Sequence, residues 1–551
     1  MPILEQLPWR GALLLGLLLI LEMSVHPLGL GPDRRIHDPA VYRLADPSYM
    51  PGDWYTDMAV ESGVYTFYAK LVNVWHFLPV SEEVWRLLLY VVSLVILYYS
   101  MVRIARIFSA SDLVIPLVAI FHAIVIVIAP PIWLYGPFIQ VDGGLAPRSI
   151  GIALSFLALY FLLKNRSILP WLLLGIATLA HVSNSLIVFT LFFAAWLCSE
   201  WVSSKRLNQE HWFPLGKKAG LAATVYIVAG GWFALYVATL GSGGETEFSD
   251  AKFIWTWIYF RAPYMALPLM PWKAWLLFFL HILAIVVGWY LLRKRAKIQH
   301  KKALDLLGFV GVGAVAYFAL FYLFAFVWPW LPGFQFYSIR VAYFIHFVAY
   351  IFTALFLLSF CKDWIKKQKN FIFLPFLIII VAILFSLSDP GKVFFKRVQK
   401  NLSVSWTYAT ESEARMLRLS GSATTQYLDL HPEPFLAPPN WFGLPAYLPQ
   451  VASFKTFGFT PKGLEEWYVR MNDVSRGELE RIYEQQNRLD TFEPVSMNWK
   501  EIYSKLTAEE IVFLSQKYHF TFFLTYKNLA YPFPLVVEDG EYRLYRISEQ
   551  K

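Results

Sequence analysis

The chain has 551 residues, of which 57% are hydrophobic, 18% aromatic and only 16% charged. Soluble domains carry roughly 25% charged residues, so an apolar excess over this length predicts a multipass membrane protein. The net charge of +9 does not indicate nucleic-acid binding: residues 1–388 hold 29 Lys and Arg against 19 Asp and Glu, whereas residues 389–551 hold 19 against 20. The basic excess lies among the apolar segments, where membrane topology accounts for it.

Eleven apolar segments are candidates for membrane helices, each of which needs about 20 residues to cross a bilayer. Basic residues concentrate at alternate ends of these segments, and 19 of the 29 in residues 1–388 fall on one side of the membrane. The positive-inside rule then predicts a cytoplasmic N-terminus and an extracytoplasmic region 389–551. The predicted spans are 11–30, 86–105, 112–131, 149–163, 168–182, 184–200, 219–240, 273–292, 304–329, 337–360 and 371–388.

The first outer region, residues 31–85, contains eight acidic residues, and segment 54–78 has the apolar spacing of a helix. Asp53, Asp57 and Glu61 are spaced i, i+4 and i+8, so a helix places them on one stripe. Two interpretations stay open. Asp53 follows Pro-Gly and suits an N-cap, with Asp57 in the first turn. Alternatively, these acids are a metal ligand or a general base that deprotonates an acceptor hydroxyl, with Asp57 the first choice.

Three arginines are predicted on the outer side of the membrane. Arg148 opens the fourth span, Arg261 lies in the outer loop 241–272, and Arg340 lies at the outer start of the tenth span. Guanidinium groups bind phosphate through paired hydrogen bonds, so together they would suit a phosphate headgroup; each alone would suit an interfacial anchor. Asp142, in a glycine-rich outer loop, is a candidate partner for Arg148. His181, near the outer end of the fifth span, is either a packing residue or a functional group.

Region 389–551 has the pattern of a soluble α/β domain. Segments 464–486 and 507–518 are predicted helices, and 521–527 and 535–547 are predicted strands, with Asp539-Gly540 as a hairpin turn. The two cysteines, Cys198 and Cys361, indicate neither a disulfide framework nor a metal site. The sequence contains no HExxH, Walker, GxSxG or GxGxxG motif.

The layout resembles the GT-C superfamily of membrane glycosyltransferases. The resemblance rests on the acidic first outer loop, on the motif "GGLAPRSIGIAL" and on the following "LLKNRSILPWLLLGIATLAHVSNSL". It implies a polytopic α-helical protein of about eleven spans that moves a sugar from a polyprenyl-phosphate lipid to an extracytoplasmic acceptor with inversion. It also implies that Asp57 or Asp53 acts as the base and that Arg148, Arg261 and Arg340 contact phosphate.

The tail is similar to the soluble end of bacterial multipass proteins with such a core, which are uncharacterised. This chain has Gln450 where an Arg is expected, and Tyr264-Met265 where a His pair is expected. The role of a divalent metal ion is therefore left open, and a non-catalytic cell-envelope membrane protein is one alternative. A lipid or polysaccharide transporter or flippase is another, and it would require polar groups through the membrane, whereas the spans are nearly free of charge. Membrane lipid and a polyprenyl-phosphate sugar are the expected partners.

Overall fold

The structure is a computed structural model. It describes residues 34–109, 117–118, 145–203, 209–241, 247–261, 266–270, 272–296, 298–336, 341–367, 423–431, 433–438, 450–451, 460–485 and 498–547.

The first outer region folds as three short helices that pack on one another. Gly63, at φ +64°, separates the second helix from the third, because its left-handed backbone cannot continue a helix. The predicted helix over 54–78 is therefore two helices followed by a 3₁₀ turn. The bounds are α1 Arg34–Ala45, α2 Trp54–Glu61, α3 Thr66–Asn73 and the turn Val74–Phe77.

The long apolar segments form helices, two of which continue through a π-turn. Six of these stretches are long and apolar enough to cross a membrane, and α5 and α6 are shorter apolar helices. The bounds are α4 Glu82–Phe108, α5 Pro147–Leu163, α6 Leu169–Ala180, α7 Val182–Ser203, α8 Gln209–Tyr226, π-turn Ile227–Gly231, α9 Trp232–Gly241, α10 Asp250–Thr256, π-turn Trp257–Arg261, 3₁₀ turn Leu267–Leu269, α11 Trp272–Arg295, α12 Ile298–Tyr322, π-turn Leu323–Val327, α13 Leu331–Phe336 and α14 Ala342–Lys367.

These helices confirm a multipass membrane protein. Eight of the eleven predicted spans coincide with described helices, whereas spans 11–30, 112–131 and 371–388 lie essentially outside the described residues. The count of eleven therefore stays a prediction.

 The membrane helices pack around α14, in which every residue from Ala342 to Phe352 is buried. By contrast, α4 presents an exposed apolar stripe at Val84, Leu88 and Val92, which has the spacing of one helix face. A stripe of this kind is typical of a surface that faces lipid.

Small residues allow α6 to cross the π-turn Ile227–Gly231 at close range. A Cβ atom at Gly230 would lie 2.2 Å from the carbonyl oxygen of Gly175, and one at Gly175 would lie 2.5 Å from the Cβ of Ala229. Glycine is required here because the two backbones touch, as is common where membrane helices cross. This contact brings the helix pair α8–α9 against α6.

Charged side chains lie at the ends of these helices that the positive-inside rule assigns to the cytoplasm. Lys302 pairs with Glu200 at 2.5 Å, which joins α12 to α7. Arg293 pairs with the buried Asp305 at 2.6 Å, which joins α11 to α12. The helix ends that carry the basic clusters are therefore brought together, as an alternating topology requires.

The described C-terminal residues contain helices and one four-stranded sheet in the order β1-β2-β4-β3. Strand β1 is parallel to β2, and the other two neighbouring pairs are antiparallel. One face of the sheet packs Phe522 and Leu544 against α15, and the other packs Phe523 against Tyr503 of α18. The bounds are α15 Ala423–Leu430, β1 Phe435–Leu436, α16 Pro461–Val474, α17 Glu478–Gln485, α18 Trp499–Ser504, α19 Ala508–Tyr518, β2 Phe522–Tyr526, β3 Leu535–Asp539 and β4 Tyr542–Arg546.

Two local predictions for this region need correction. The helix expected over 464–486 is two helices, because Arg476 and Gly477 adopt left-handed backbone angles of φ +57° and +78°. In the hairpin, Asp539 still pairs with Tyr542, so the two loop residues are Gly540 and Glu541 and not Asp539-Gly540. Gly540, at φ +51°, occupies the first loop position, where glycine is favoured.

The orientation of the chain is a prediction that cysteine labelling can check. In a Cys198→Ser, Cys361→Ser background, we expect a membrane-impermeant maleimide to label Lys505→Cys in intact cells. Lys301→Cys should react only after the membrane is permeabilised, because it lies in the basic cluster assigned to the cytoplasm. Both positions are exposed, so access to the reagent depends on the side of the membrane. The reverse labelling pattern would overturn the orientation.

Candidate functional site

Asp53 caps the N-terminus of α2. The turn before it contains Gly52 at φ +78°, and Asp53 itself has extended backbone angles. Its carboxylate accepts hydrogen bonds from the backbone N–H of Thr56 at 2.9 Å and from the Thr56 hydroxyl at 2.6 Å. Burial raises the pKa of Asp53, and the two hydrogen bonds from Thr56 oppose that rise. The capping interpretation is confirmed.

Asp57 lies in the first turn of α2, where a negative charge is favoured by the helix dipole. It pairs with Arg43 of α1 at 2.8 Å, and its side chain is 35% exposed. Arg43 also donates to the backbone carbonyls of Tyr49 and Met50, so the loop between α1 and α2 holds the guanidinium in place. Asp57 is thus an oriented carboxylate that stays partly exposed.

A buried ion network holds this outer region on the membrane helices. Arg86 of α4 donates to Asp38 of α1 at 3.0 Å and to Glu82 at 2.6 Å. Arg86 is 3% exposed and Asp38 is fully buried. Tyr42 adds a hydrogen bond to Glu82 at 3.1 Å. This network was not predicted from the sequence, although the i, i+4 spacing of Glu82 and Arg86 is a local signal for half of it.

Arg148 lies at the start of α5, one residue after Pro147, and is half-buried. The residues before it contact the first outer region, since the Tyr68 hydroxyl of α3 donates to the carbonyl of Leu145 at 2.8 Å. Phe67, on the same helix, packs edge-to-face on Phe233 of α9 at 4.9 Å. Helix α3 therefore contacts the start of α5, which is predicted to face outward, and the first turn of α9.

His181 lies at the corner between α6 and α7, and its ring nitrogen Nδ1 accepts a hydrogen bond from the backbone N–H of Asn184 at 3.3 Å. A side chain added at Gly151, one helical turn after Arg148, would lie 3.4 Å from the Cβ of His181. The structure therefore brings Arg148 and His181 to the same end of the helix bundle.

The first turn of α14 reaches this end as well, because the Asn184 side chain donates to the hydroxyl of Tyr343 at 3.4 Å. Tyr343 follows Arg340 by three residues, but Arg340 itself lies outside the described residues, as does Asp142. Arg261 closes the π-turn Trp257–Arg261, and only its backbone is described. Convergence of the three arginines therefore stays a prediction.

The C-terminal region contacts the outer region directly, a contact that was not predicted from the sequence. The indole N–H of Trp54, the first residue of α2, donates to the carbonyl of Val451 at 3.1 Å. Lys252 of α10 pairs with Glu480 of α17 at 2.8 Å. These partners are separated by hundreds of residues, so no local pattern could have indicated them. They place the C-terminal region on the same side as the acidic loop.

Within the part of the chain that the structure describes, no group of three or more His, Cys, Asp or Glu side chains could hold a metal ion. Cys198 is a free, exposed thiol.

The chain is similar to the crystal structure of ArnT from Cupriavidus metallidurans in the apo state, with 13% sequence identity and a TM-score of 0.38. The match covers 98% of this chain and 97% of that one. No protein-family profile matches the chain, and no curated protein matches it. A likeness at this level assigns no role to any residue of this chain.

Proposed function

We propose that the chain is a membrane glycosyltransferase of the GT-C type, which transfers a sugar from a polyprenyl-phosphate donor to an extracytoplasmic acceptor. The observation that carries the proposal is the placement of Asp57, an oriented and partly exposed carboxylate. It belongs to the outer region that packs over α5 and α9, at the end of the bundle where Arg148 and His181 lie. The carboxylate of Asp57 suits an acceptor hydroxyl, and the guanidinium of Arg148, at the predicted membrane edge, suits a phosphate-linked donor.

The proposed step is an inverting displacement in which Asp57 is the general base and Asp53 the second candidate. The carboxylate takes the proton of the acceptor hydroxyl while the acceptor oxygen forms a bond to the anomeric carbon. The bond from that carbon to the phosphate oxygen breaks, and the polyprenyl phosphate leaves with the electron pair. Asp53 suits this role less well, because its carboxylate is already engaged by Thr56.

Arg148, with Arg261 and Arg340, is proposed to stabilise the phosphate of the donor and of the leaving group. A guanidinium can form paired, charge-assisted hydrogen bonds to phosphate oxygens. A lipid-linked donor also suits the location, because a prenyl chain partitions into the bilayer beside the helices, whereas nucleotide sugars stay in the cytoplasm. We further propose that residues 1–388 form an eleven-span membrane domain and that residues 389–551 form the outer α/β domain.

The arginine assignment predicts weaker donor binding in Arg148→Ala. Loss of a charge-assisted contact to phosphate should cost on the order of 1.5–3 kcal/mol, which is a tenfold or greater fall in affinity. The measurement is binding of a polyprenyl-phosphate sugar to the purified protein in detergent or nanodiscs. The matched control is Arg166→Ala, since Arg166 is exposed in the turn at the opposite end of α5.

Arg166→Ala should bind the donor as the wild type does. Equal donor affinity in Arg148→Ala and in the wild type would count against a phosphate contact at this position. Failure of the wild-type protein to bind any polyprenyl-phosphate sugar would count against the proposed function itself.

A further inference from the structure

Arg470 of α16 lies at the junction between the C-terminal region and the acid-bearing helix α2. Its guanidinium carbon is 4.9 Å from the ring centre of Trp54 and 4.6 Å from that of Tyr518. Its Nε donates to Glu466 at 2.6 Å, and its Nη1 donates to the carbonyl of Val451 at 3.4 Å. The side chain is only 14% exposed. The guanidinium is thus hydrogen-bonded within the C-terminal region and packed against the ring of Trp54 in α2.

Trp54 is fixed from two directions by this arrangement. Its ring faces the Arg470 guanidinium, and its N–H donates to the same Val451 carbonyl that Arg470 contacts. Trp54 is the first residue of α2, directly after Asp53 and three residues before Asp57. Because Trp54 belongs to the first turn of α2, contacts that fix its ring also fix the orientation of Asp53 and Asp57.

We propose that Arg470 is a positioning residue, which orients α2 through Trp54 and so makes the C-terminal region part of the site that carries out transfer. This inference rests on the proposed function. Arginine suits the task because its planar group can stack on aromatic rings while its N–H groups donate in the same plane. Lysine would keep the charge but lose that planar contact.

A second attachment lets the role of Arg470 be tested without detaching the C-terminal region. Lys252 pairs with Glu480, and the hydroxyl of Tyr468 donates to the same carboxylate at 2.7 Å. The Lys252 ammonium also lies over the ring of Tyr468 at 4.5 Å. These contacts involve α10, α17 and Tyr468 of α16 but not the Arg470 side chain, so they should persist when Arg470 is replaced.

The test compares Arg470→Met and Arg470→Lys with Arg476→Met. Arg476 follows the same helix but forms an exposed pair with Glu510, so it is a matched control. Hydrogen exchange of the α2 amides is one measurement, with the amides of α14 reporting whether the protein is folded. We expect exchange in α2 to rise about tenfold in Arg470→Met, less in Arg470→Lys and not in Arg476→Met, as the loss of a cation–π contact implies.

The second measurement separates catalysis from binding. In Arg470→Met, kcat for sugar transfer should fall about tenfold while donor affinity stays unchanged, because only the acid is misplaced. Arg470→Lys should recover part of the rate. Unchanged α2 exchange in Arg470→Met would overturn the inference, whether or not the protein transfers sugar. A different outcome is that the wild-type protein is inactive but α2 exchange still rises in Arg470→Met. That result would refute the proposed function and the catalytic part of the inference, and Arg470 would then have only a structural role.

Discussion

Asp57→Asn is expected to lower the rate of sugar transfer by ~10²–10⁴-fold, the usual contribution of a general base. Asparagine keeps the shape of the side chain but cannot accept the proton of the acceptor hydroxyl. Arg43 loses its ionic partner but keeps its bonds to the backbone of Tyr49 and Met50, so the loop should keep its conformation. The measurement is transfer from a labelled polyprenyl-phosphate sugar by the purified protein, with expression and folding compared in parallel.

Asp53→Asn is the matched control for this substitution. Asparagine caps helices as well as aspartate does, so α2 should stay folded and the rate should fall less than in Asp57→Asn. A larger loss in Asp53→Asn would exchange the roles of the two acids. Wild-type transfer in the Asp53→Asn, Asp57→Asn double variant would remove the base from this motif, and with it the main reason to regard the chain as an enzyme.

The long membrane helices could be predicted from the sequence because their signal is local and strong. A run of about 20 apolar residues has few alternatives in a bilayer, since helices satisfy their own backbone hydrogen bonds. Helices α4 and α11 therefore begin and end within a few residues of the predicted spans. The breaks in shorter helices escaped prediction because they depend on single residues in left-handed conformations, such as Gly63 and Gly477.

The candidate site was predictable only in part, for a related reason. The cap at Asp53 is a local feature, and the preceding Pro51 and Gly52 indicated it in the sequence. The partners of these acids lie on other elements: Arg43 is 14 positions from Asp57 in the chain, and Arg470 is several hundred from Trp54. Spacing rules describe neighbours within one helix or strand, so they carry no information on such contacts.

Arg86→Met is expected to lower the free energy of unfolding by about 3–5 kcal/mol, the typical cost of removing one partner of a buried ion pair. The substitution keeps most of the side-chain volume but leaves the carboxylate of Asp38 buried without its guanidinium partner. Helix α1 should therefore loosen from α4, and with it the support of α2. Thermal or denaturant unfolding of the purified protein in detergent would measure the loss.

Two further variants separate the cost of leaving the Asp38 carboxylate buried without Arg86 from the cost of lost packing. Asp38→Asn combined with Arg86→Met removes both charges, so it should recover much of the stability that Arg86→Met loses. Arg481→Met disrupts a pair with Glu478 in which the arginine is 55% exposed, and it should cost far less stability than Arg86→Met because exposed ion pairs contribute little. If Arg86→Met cost no more than Arg481→Met, the buried network would not be what holds the acid-bearing region on the membrane helices.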